Sequence, residues 1–255
     1  MISPPPSLDT QGLAVDLVAE PWRYPGPPAP AAGVLHGDRF EPMPHDVAPV
    51  ALAPRLDAAL RSARAPRLGG RHAVVAVGSN AAPGVLGAKL RRAGVDAVAP
   101  MVRGRVVDVA VGHSAHVSRA GYVAAAPYRA AGARTDVVVA LLTDAQVGCL
   151  DATEPNYARL PVVAELDVPH DVASCSLYVS RRGVLASPRG GVLPVGPQRR
   201  LWAHLRARGA LAAGLPVDER ALAAALAADA RRRAHVRSRL LRLDLVRDAG
   251  LTGAG

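Results

Sequence analysis

The chain has 255 residues, half of them hydrophobic, which is enough for one domain with appendages and its own core. Aromatic residues make up only 3%, so that core must be built from Ala, Val and Leu. The formal charge of +10 is almost all arginine, because Lys89 is the only lysine, and such an Arg- and Ala-rich bias does not by itself establish an acidic partner. No apolar run approaches the roughly 18 to 20 residues of a membrane helix. Residues 1–20 lack both the basic start and the apolar stretch of a secretory leader. A soluble, cytoplasmic protein with no membrane partner is therefore expected, with Cys149 and Cys175 as thiols rather than a bridge.

Thirteen of the 23 prolines fall within residues 1–66. Proline fixes φ and removes an N–H donor, so neither a regular sheet nor a long helix is expected there. Residues 1–50 read as an extended arm, pinned in places by Trp22, Tyr24 and Phe40. A short helix over 55–64 would set Leu56, Leu60 and Ala63 on one face. An ordered domain then begins at Arg71. His72-Ala73-Val74-Val75-Ala76-Val77 reads as a buried strand ending in the turn formers Gly78-Ser79-Asn80, and 83–92 as a helix. Further strands are expected at 101–111, 121–126, 136–142, 157–166 and 174–180. Thr143 and Gln146 have capping-box spacing and open a helix that buries Val147 and Leu150. Beyond Gly183 the pattern is helical, over 198–208 and 218–247. Strands followed by helices give an α+β fold divided into a proline-rich arm with a short helix (1–70), a domain (71–215) and an Arg/Ala/Leu-rich helical extension (216–255).

The chemistry-bearing segment is Leu150-Asp151-Ala152-Thr153-Glu154-Pro155-Asn156-Tyr157-Ala158-Arg159. Pro155 disfavours helical geometry at Glu154, so the carboxylate sits at a helix-to-strand junction, where it can point into a cavity and do acid/base work. Pro161 makes part of the following strand an edge or a bulge. Other groups read more simply. Asp151 is a solvated or backbone-bonding acid near a helix end. His113 and His116 lack a third ligand and lie in a loop, so no metal is expected. Ser79 has no nucleophile elbow around it. Arg189-Gly190-Gly191 and residues 94–100 are connections without the phosphate-loop pattern. Arg231, Arg232 and Arg233, with Arg237, Arg239 and Arg242, form a charged face opposite Val236, Leu240 and Leu243. No aromatics are interleaved for base stacking, so a nucleic-acid partner is disfavoured.

In its motifs the chain resembles the γ-glutamylcyclotransferase-like (AIG2-like) superfamily. Val77-Gly78-Ser79-Asn80 is similar to that family's strand-ending Tyr-Gly-Ser-Asn. Leu150-Asp151-Ala152-Thr153-Glu154-Pro155, with Tyr157 and Arg159, is similar to its Leu-Asp-x-x-Glu-Gly segment. Gly121-Tyr122-Val123-Ala124-Ala125-Ala126-Pro127 and the strand around Ser176-Leu177-Tyr178-Val179 agree in order and spacing. The resemblance implies a mixed β-barrel with flanking helices over about 140 residues. It also implies cyclisation of a γ-glutamyl group to 5-oxoproline with release of an amine or amino acid, Glu154 acting as general acid/base. Val77, Gly78, Ser79, Asn80 and Tyr157 would bind the small-molecule substrate, without a metal or an organic cofactor. Val77 stands where the family has tyrosine and Pro155 where it has glycine, so a ligand-binding member without turnover is the alternative. Binding of nucleic acid or a partner through the basic C-terminal helices is a third reading. Glutathione, γ-glutamyl amino acids and γ-glutamylamines all stay open as substrates, as does the oligomeric state.

Overall fold

The computed structural model describes residues 6–44, 49–166, 174–187 and 190–252. Its centre is a mixed sheet of eight strands. Strand β3 (His72–Ala76) pairs antiparallel with β5 (Ala125–Leu142) on one side and parallel with β8 (Ser174–Ser180) on the other. Beyond β5 lies β4 (Val98–His113), and beyond β8 lies β6 (Tyr157–Pro161). After Val162 and Val163 the chain forms β7 (Ala164–Leu166), which pairs with β4 at Gly104 to Val106. The pairing path runs from β4 through β5, β3 and β8 and ends at β6, while β7 pairs with β4 off that path, so the described strands do not close into the expected barrel.

Alternation explains why these residues are strands. Val74 and Ala76 of β3, with Val138, Ala140 and Leu142 of β5, face helices α2 (Pro83–Arg92) and α3 (Asp144–Thr153). Ala73 and Val75, with Val137, Val139 and Leu141, face the opposite way, toward Leu52, Leu56 and Leu60 of α1 (Pro49–Ser62). Burial on both faces is why these strands read as unbroken apolar runs. Arg71 is fully buried just before β3. Its guanidinium donates to the carbonyls of Pro66 (2.8 Å) and Leu141 (2.9 Å), tying the approach to β3 onto the end of β5. The expected α1 helix is present and longer than 55–64, with Leu56 and Leu60 fully buried.

Four expectations are corrected. The arm is not merely extended: β1 (Gly33–His36) and β2 (Arg39–Pro42) form a hairpin whose first strand pairs with β4. The prolines fall at the hairpin's end and in its flanks, where no ladder N–H is needed, and Phe40 is 0% exposed. No strand covers 121–126. Residues 115–124 form a loop, and the strand starts at Ala125 and runs on to Leu142. The 157–166 strand breaks into β6 and β7 just after Pro161. The helix expected over 218–247 is two helices, α5 (Glu219–Ala228) and α6 (Ala230–Arg242), followed by β10 (Val246–Arg247) paired with β9 (Val184–Leu185). Asp229 makes the break: its carboxylate accepts from the N–H groups of Arg231 (2.7 Å) and Arg232 (3.2 Å), capping α6 and ending α5.

α5, α6 and α4 (Gln198–Ala207) bury Leu201, Trp202, Leu222, Leu226, Val236 and Leu240 in a cluster of their own, against Val117 and Val123 of the 115–124 loop. Leu243, expected on that apolar face, is exposed at 37%. Gly190 and Gly191 lie in a connection with positive φ, as expected, whereas Arg189 is outside the described residues. Among the described residues no helix is long and apolar enough to cross a membrane.

Candidate functional site

Glu154 is the C-terminal cap of α3. The capping box holds the other end of that helix: the Thr143 hydroxyl accepts from Gln146 N–H, and the Gln146 side chain accepts from Thr143 N–H (3.0 Å). Gln146 also donates to the carbonyls of Asp96 (2.8 Å) and Val98 (3.0 Å), so α3 is fixed to β4 at its start. With the helix pinned there, its far end delivers Glu154 to the end of β3. Pro155 then stops the helix, as read from the sequence.

The turn after β3 lies directly opposite. Ser79 to Ala81 form a single 3-10 turn leading into α2, with Ser79 and Asn80 buried. The Asn80 amide donates to Glu154 Oε1 (3.3 Å). Lys89, two turns into α2, donates to both Glu154 Oε1 (2.6 Å) and Asn80 Oδ1 (2.8 Å). The three side chains form a closed triangle, with the carboxylate and ammonium only 18% and 17% exposed. Behind it is a cavity of about 50 Å³ lined by Val77, Gly78, Ser79, Asn80, Glu154 and Tyr157, together with Tyr24, Tyr122, Ala125 and Tyr178. All six residues singled out from the sequence border this one space.

Sequence reasoning missed Lys89, although a signal was present: it is the sole lysine in a chain that uses arginine everywhere else. A guanidinium is a planar fork, whereas an ammonium is a compact donor able to reach Asn80 and Glu154 from one point. Lys89→Met would leave a mostly buried carboxylate with Asn80 alone. It is expected to lower unfolding stability by about 1–3 kcal/mol, and Lys89→Arg to recover only part of the loss, as read by urea titration.

Of the four phenols lining the cavity, the sequence points to Tyr157 as a site residue and to Tyr24 only as an anchor of the arm, whereas it does not assign Tyr122 and Tyr178 to the site. Tyr24 comes from the N-terminal segment. Its hydroxyl accepts from Ala125 N–H (2.6 Å) and its ring stacks on Tyr122 at 4.3 Å. Tyr157 donates to the Ala125 carbonyl (3.0 Å). Burial, then the charge of Glu154, pushes the Tyr122 hydroxyl up to about 12 and raises Tyr157 further, while Tyr24 is raised chiefly by burial. Glu154 is thus surrounded by hydroxyls that stay protonated. Gly78 is needed for a reason the sequence does not show: a Cβ there would overlap the Tyr24 hydroxyl. That ring is buried, stacked and hydrogen-bonded and cannot easily give way. Gly78→Ala is expected to lower stability by about 1–3 kcal/mol, and Tyr24→Phe to absorb part of that cost. Additive effects in thermal unfolding of the double variant would show that the two residues are uncoupled.

Asp151 is exposed, as expected of a solvated acid near a helix end, but its bonds go to side chains and not to the backbone. It accepts from Tyr178 Oη (2.7 Å) and pairs with Arg159 (3.0 Å), orienting a tyrosine of the cavity wall. Burial pushes its carboxyl up, but the hydrogen bonds from Arg159 and Tyr178 outweigh this and hold it below the usual range. His113 ends β4 and is not in the expected loop, whereas His116 does lie in the 115–124 loop, and both are buried. His116 Nδ1 is 2.6 Å from the Ser114 hydroxyl, which is 2.8 Å from that of Ser180. Among the described residues no group of three His, Cys, Asp or Glu could hold a metal.

No protein-family model and no curated protein matches the chain. Among solved structures it is similar to the uncharacterized protein loc79017 from Homo sapiens, at 14% identity and a TM-score of 0.35, over 72% of this chain and 93% of that one. So loose a likeness assigns neither fold nor activity.

Proposed function

We propose that this chain is a γ-glutamylcyclotransferase-like enzyme with the fold of that superfamily. It would cyclise a γ-glutamyl group to 5-oxoproline and release an amine. The observation carrying this reading is the meeting of Glu154 with the Gly78-Ser79-Asn80 turn across one cavity, bridged by Lys89 and Asn80. Those two segments lie 74 residues apart in the chain.

The reaction needs both reactants, already joined in one molecule, to fold onto each other, so positioning supplies much of the rate. The substrate's α-amine attacks its own γ-carbonyl carbon. A C–N bond forms and the carbonyl oxygen takes up negative charge. The N–H groups around Gly78, Ser79 and Asn80, at the turn that borders the cavity, would hold that oxygen; the Ala81 N–H is already given to the Gly78 carbonyl. The Glu154 carboxylate accepts the proton from the attacking amine and returns it to the leaving nitrogen. The γ-amide C–N bond then breaks, giving 5-oxoproline and a free amine. Protons and electrons balance without a cofactor. The protonated phenols of Tyr24, Tyr122 and Tyr157 provide an uncharged wall around the carboxylate.

The test is 5-oxoproline release from a panel of γ-glutamyl compounds, comparing the natural chain with Glu154→Gln. The size of the cavity favours a second reading, a member of the same fold that holds a small amino-acid-like ligand without turnover. At about 50 Å³ it has room for a few water-sized groups and not for a folded glutamyl chain, unless an aromatic wall moves. Saturable binding with no 5-oxoproline from any compound would select that reading.

A further inference from the structure

We infer that Tyr122 is the wall between two halves of one binding site, and that the outer half takes an uncharged alkyl chain on the substrate's leaving amine. The identity of the head group rests on the γ-glutamyl reading above; the apolar half does not.

A second cavity, of about 370 Å³, opens beside the first, between α2 and residues 15–18 of the N-terminal segment. Val15, Leu17, Val18, Val85, Ala88 and Ala93 supply its apolar lining. It touches the Glu154 cavity at two places. Tyr122 lines both, and Lys89 lines the outer one while its ammonium is 2.6 Å from Glu154 Oε1. A substrate with its scissile amide at Glu154 therefore has its leaving nitrogen at the mouth of the apolar space.

The inner cavity is too small alone, so one of its aromatic walls must shift to admit a head group. Tyr24 is buried and its hydroxyl is tied to Ala125 N–H, whereas Tyr122, stacked on Tyr24, is half-buried and sits on a loop. Because Tyr122 lines both spaces, its rotation would join them. The cations of the outer cavity are already engaged, Arg92 by Asp16 (2.8 Å) and Lys89 by Glu154. An amino-acid leaving group would bring a carboxylate to a wall whose charges are matched. An alkylamine brings only apolar surface, which this lining buries at a gain.

The experiment uses γ-glutamyl n-alkylamides from methyl to hexyl on the full chain, with two readouts: kcat/KM for 5-oxoproline release, and affinity for Glu154→Gln by calorimetry. Each methylene that enters the pocket is expected to tighten binding about fourfold. Val18→Asp is expected to flatten that rise. Val18 is 71% exposed, so its replacement does not threaten the fold. Affinity that is undetectable or independent of chain length, or a preference for γ-glutamyl amino acids, would overturn the inference. Affinity that rises with chain length while no member yields 5-oxoproline would uphold the apolar half and overturn only the enzymatic reading. Release of 5-oxoproline at one rate across the series would do the reverse.

Discussion

Glu154→Gln is expected to cut 5-oxoproline release by roughly 10²–10⁴-fold, the usual contribution of a positioned acid/base. Glutamine preserves the shape of the side chain and the oxygen that accepts from Lys89 and Asn80, so the triangle can persist. What it removes is the ability to take a proton from the attacking amine. Substrate binding should change far less than kcat, because the turn after β3 and the aromatic walls are untouched. Thermal unfolding of the variant must be measured beside the rate. Lys89 loses its anion, and a melted protein would imitate a dead one. A folded variant that keeps its rate within a factor of three would remove Glu154 from the mechanism.

The local elements of this site were legible because each has a local cause. Thr143 and Gln146 satisfy one another's backbone within a single turn, and Pro155 acts on its immediate neighbour. Such signals do not depend on what packs nearby, which is why α3 and its end at Glu154 could be read directly. The strand before Gly78 was legible for a similar reason, since a fully buried strand has no polar face to confuse it.

Long-range partners were not legible. Tyr24 bonds Ala125 across 101 residues, and Lys89 bonds Glu154 across 65. Nothing in the local pattern of a proline-rich segment announces that its tyrosine will stack inside a cavity built by distant strands. The prolines pointed to an arm, yet a hairpin needs ladder bonds at only a few positions, and β1 satisfies its own against β4. Gly121 misled in the opposite sense. Its φ of +91° marks a turn, and a Cβ there would overlap the Ala223 carbonyl, so it lets α5 approach the 115–124 loop and does not lead a strand. Trp22 belongs to the same long-range network, because Arg220 of α5 lies 4.9 Å from its ring centroid. The N-terminal segment therefore touches both the cavity, through Tyr24, and the C-terminal helices, through Trp22.

Acid should destabilise this chain from pH 6.5 downward. Burial holds His113 and His116 neutral, with pKa values lowered to about 4; for His116 the charges of Arg182 and Arg237 add to burial. In the unfolded chain both return to about 6.5. Between pH 6.5 and 4 the unfolded state binds protons that the native state refuses, so stability rises with pH across that window and is lost on acidification. Each histidine contributes at most about 1.4 kcal/mol per pH unit, or roughly 3 kcal/mol over the window. Asp16 and Asp151 act in the same direction but lower down. Their carboxyls are held below the ordinary 3.8, so their contribution disappears only at more acid pH. His113 accepts from Gly196 N–H through Nε2 (3.0 Å), which glutamine can imitate; His116 meets Ser114 through Nδ1, which asparagine can imitate. Urea unfolding at pH 4.5, 5.5, 6.5 and 7.5 should give a slope that falls by about half in either His113→Gln or His116→Asn. It should fall to a small remainder in the double variant. A double variant with the slope of the natural chain would mean that these imidazoles are already protonated in the fold, and that their burial does not govern its response to acid.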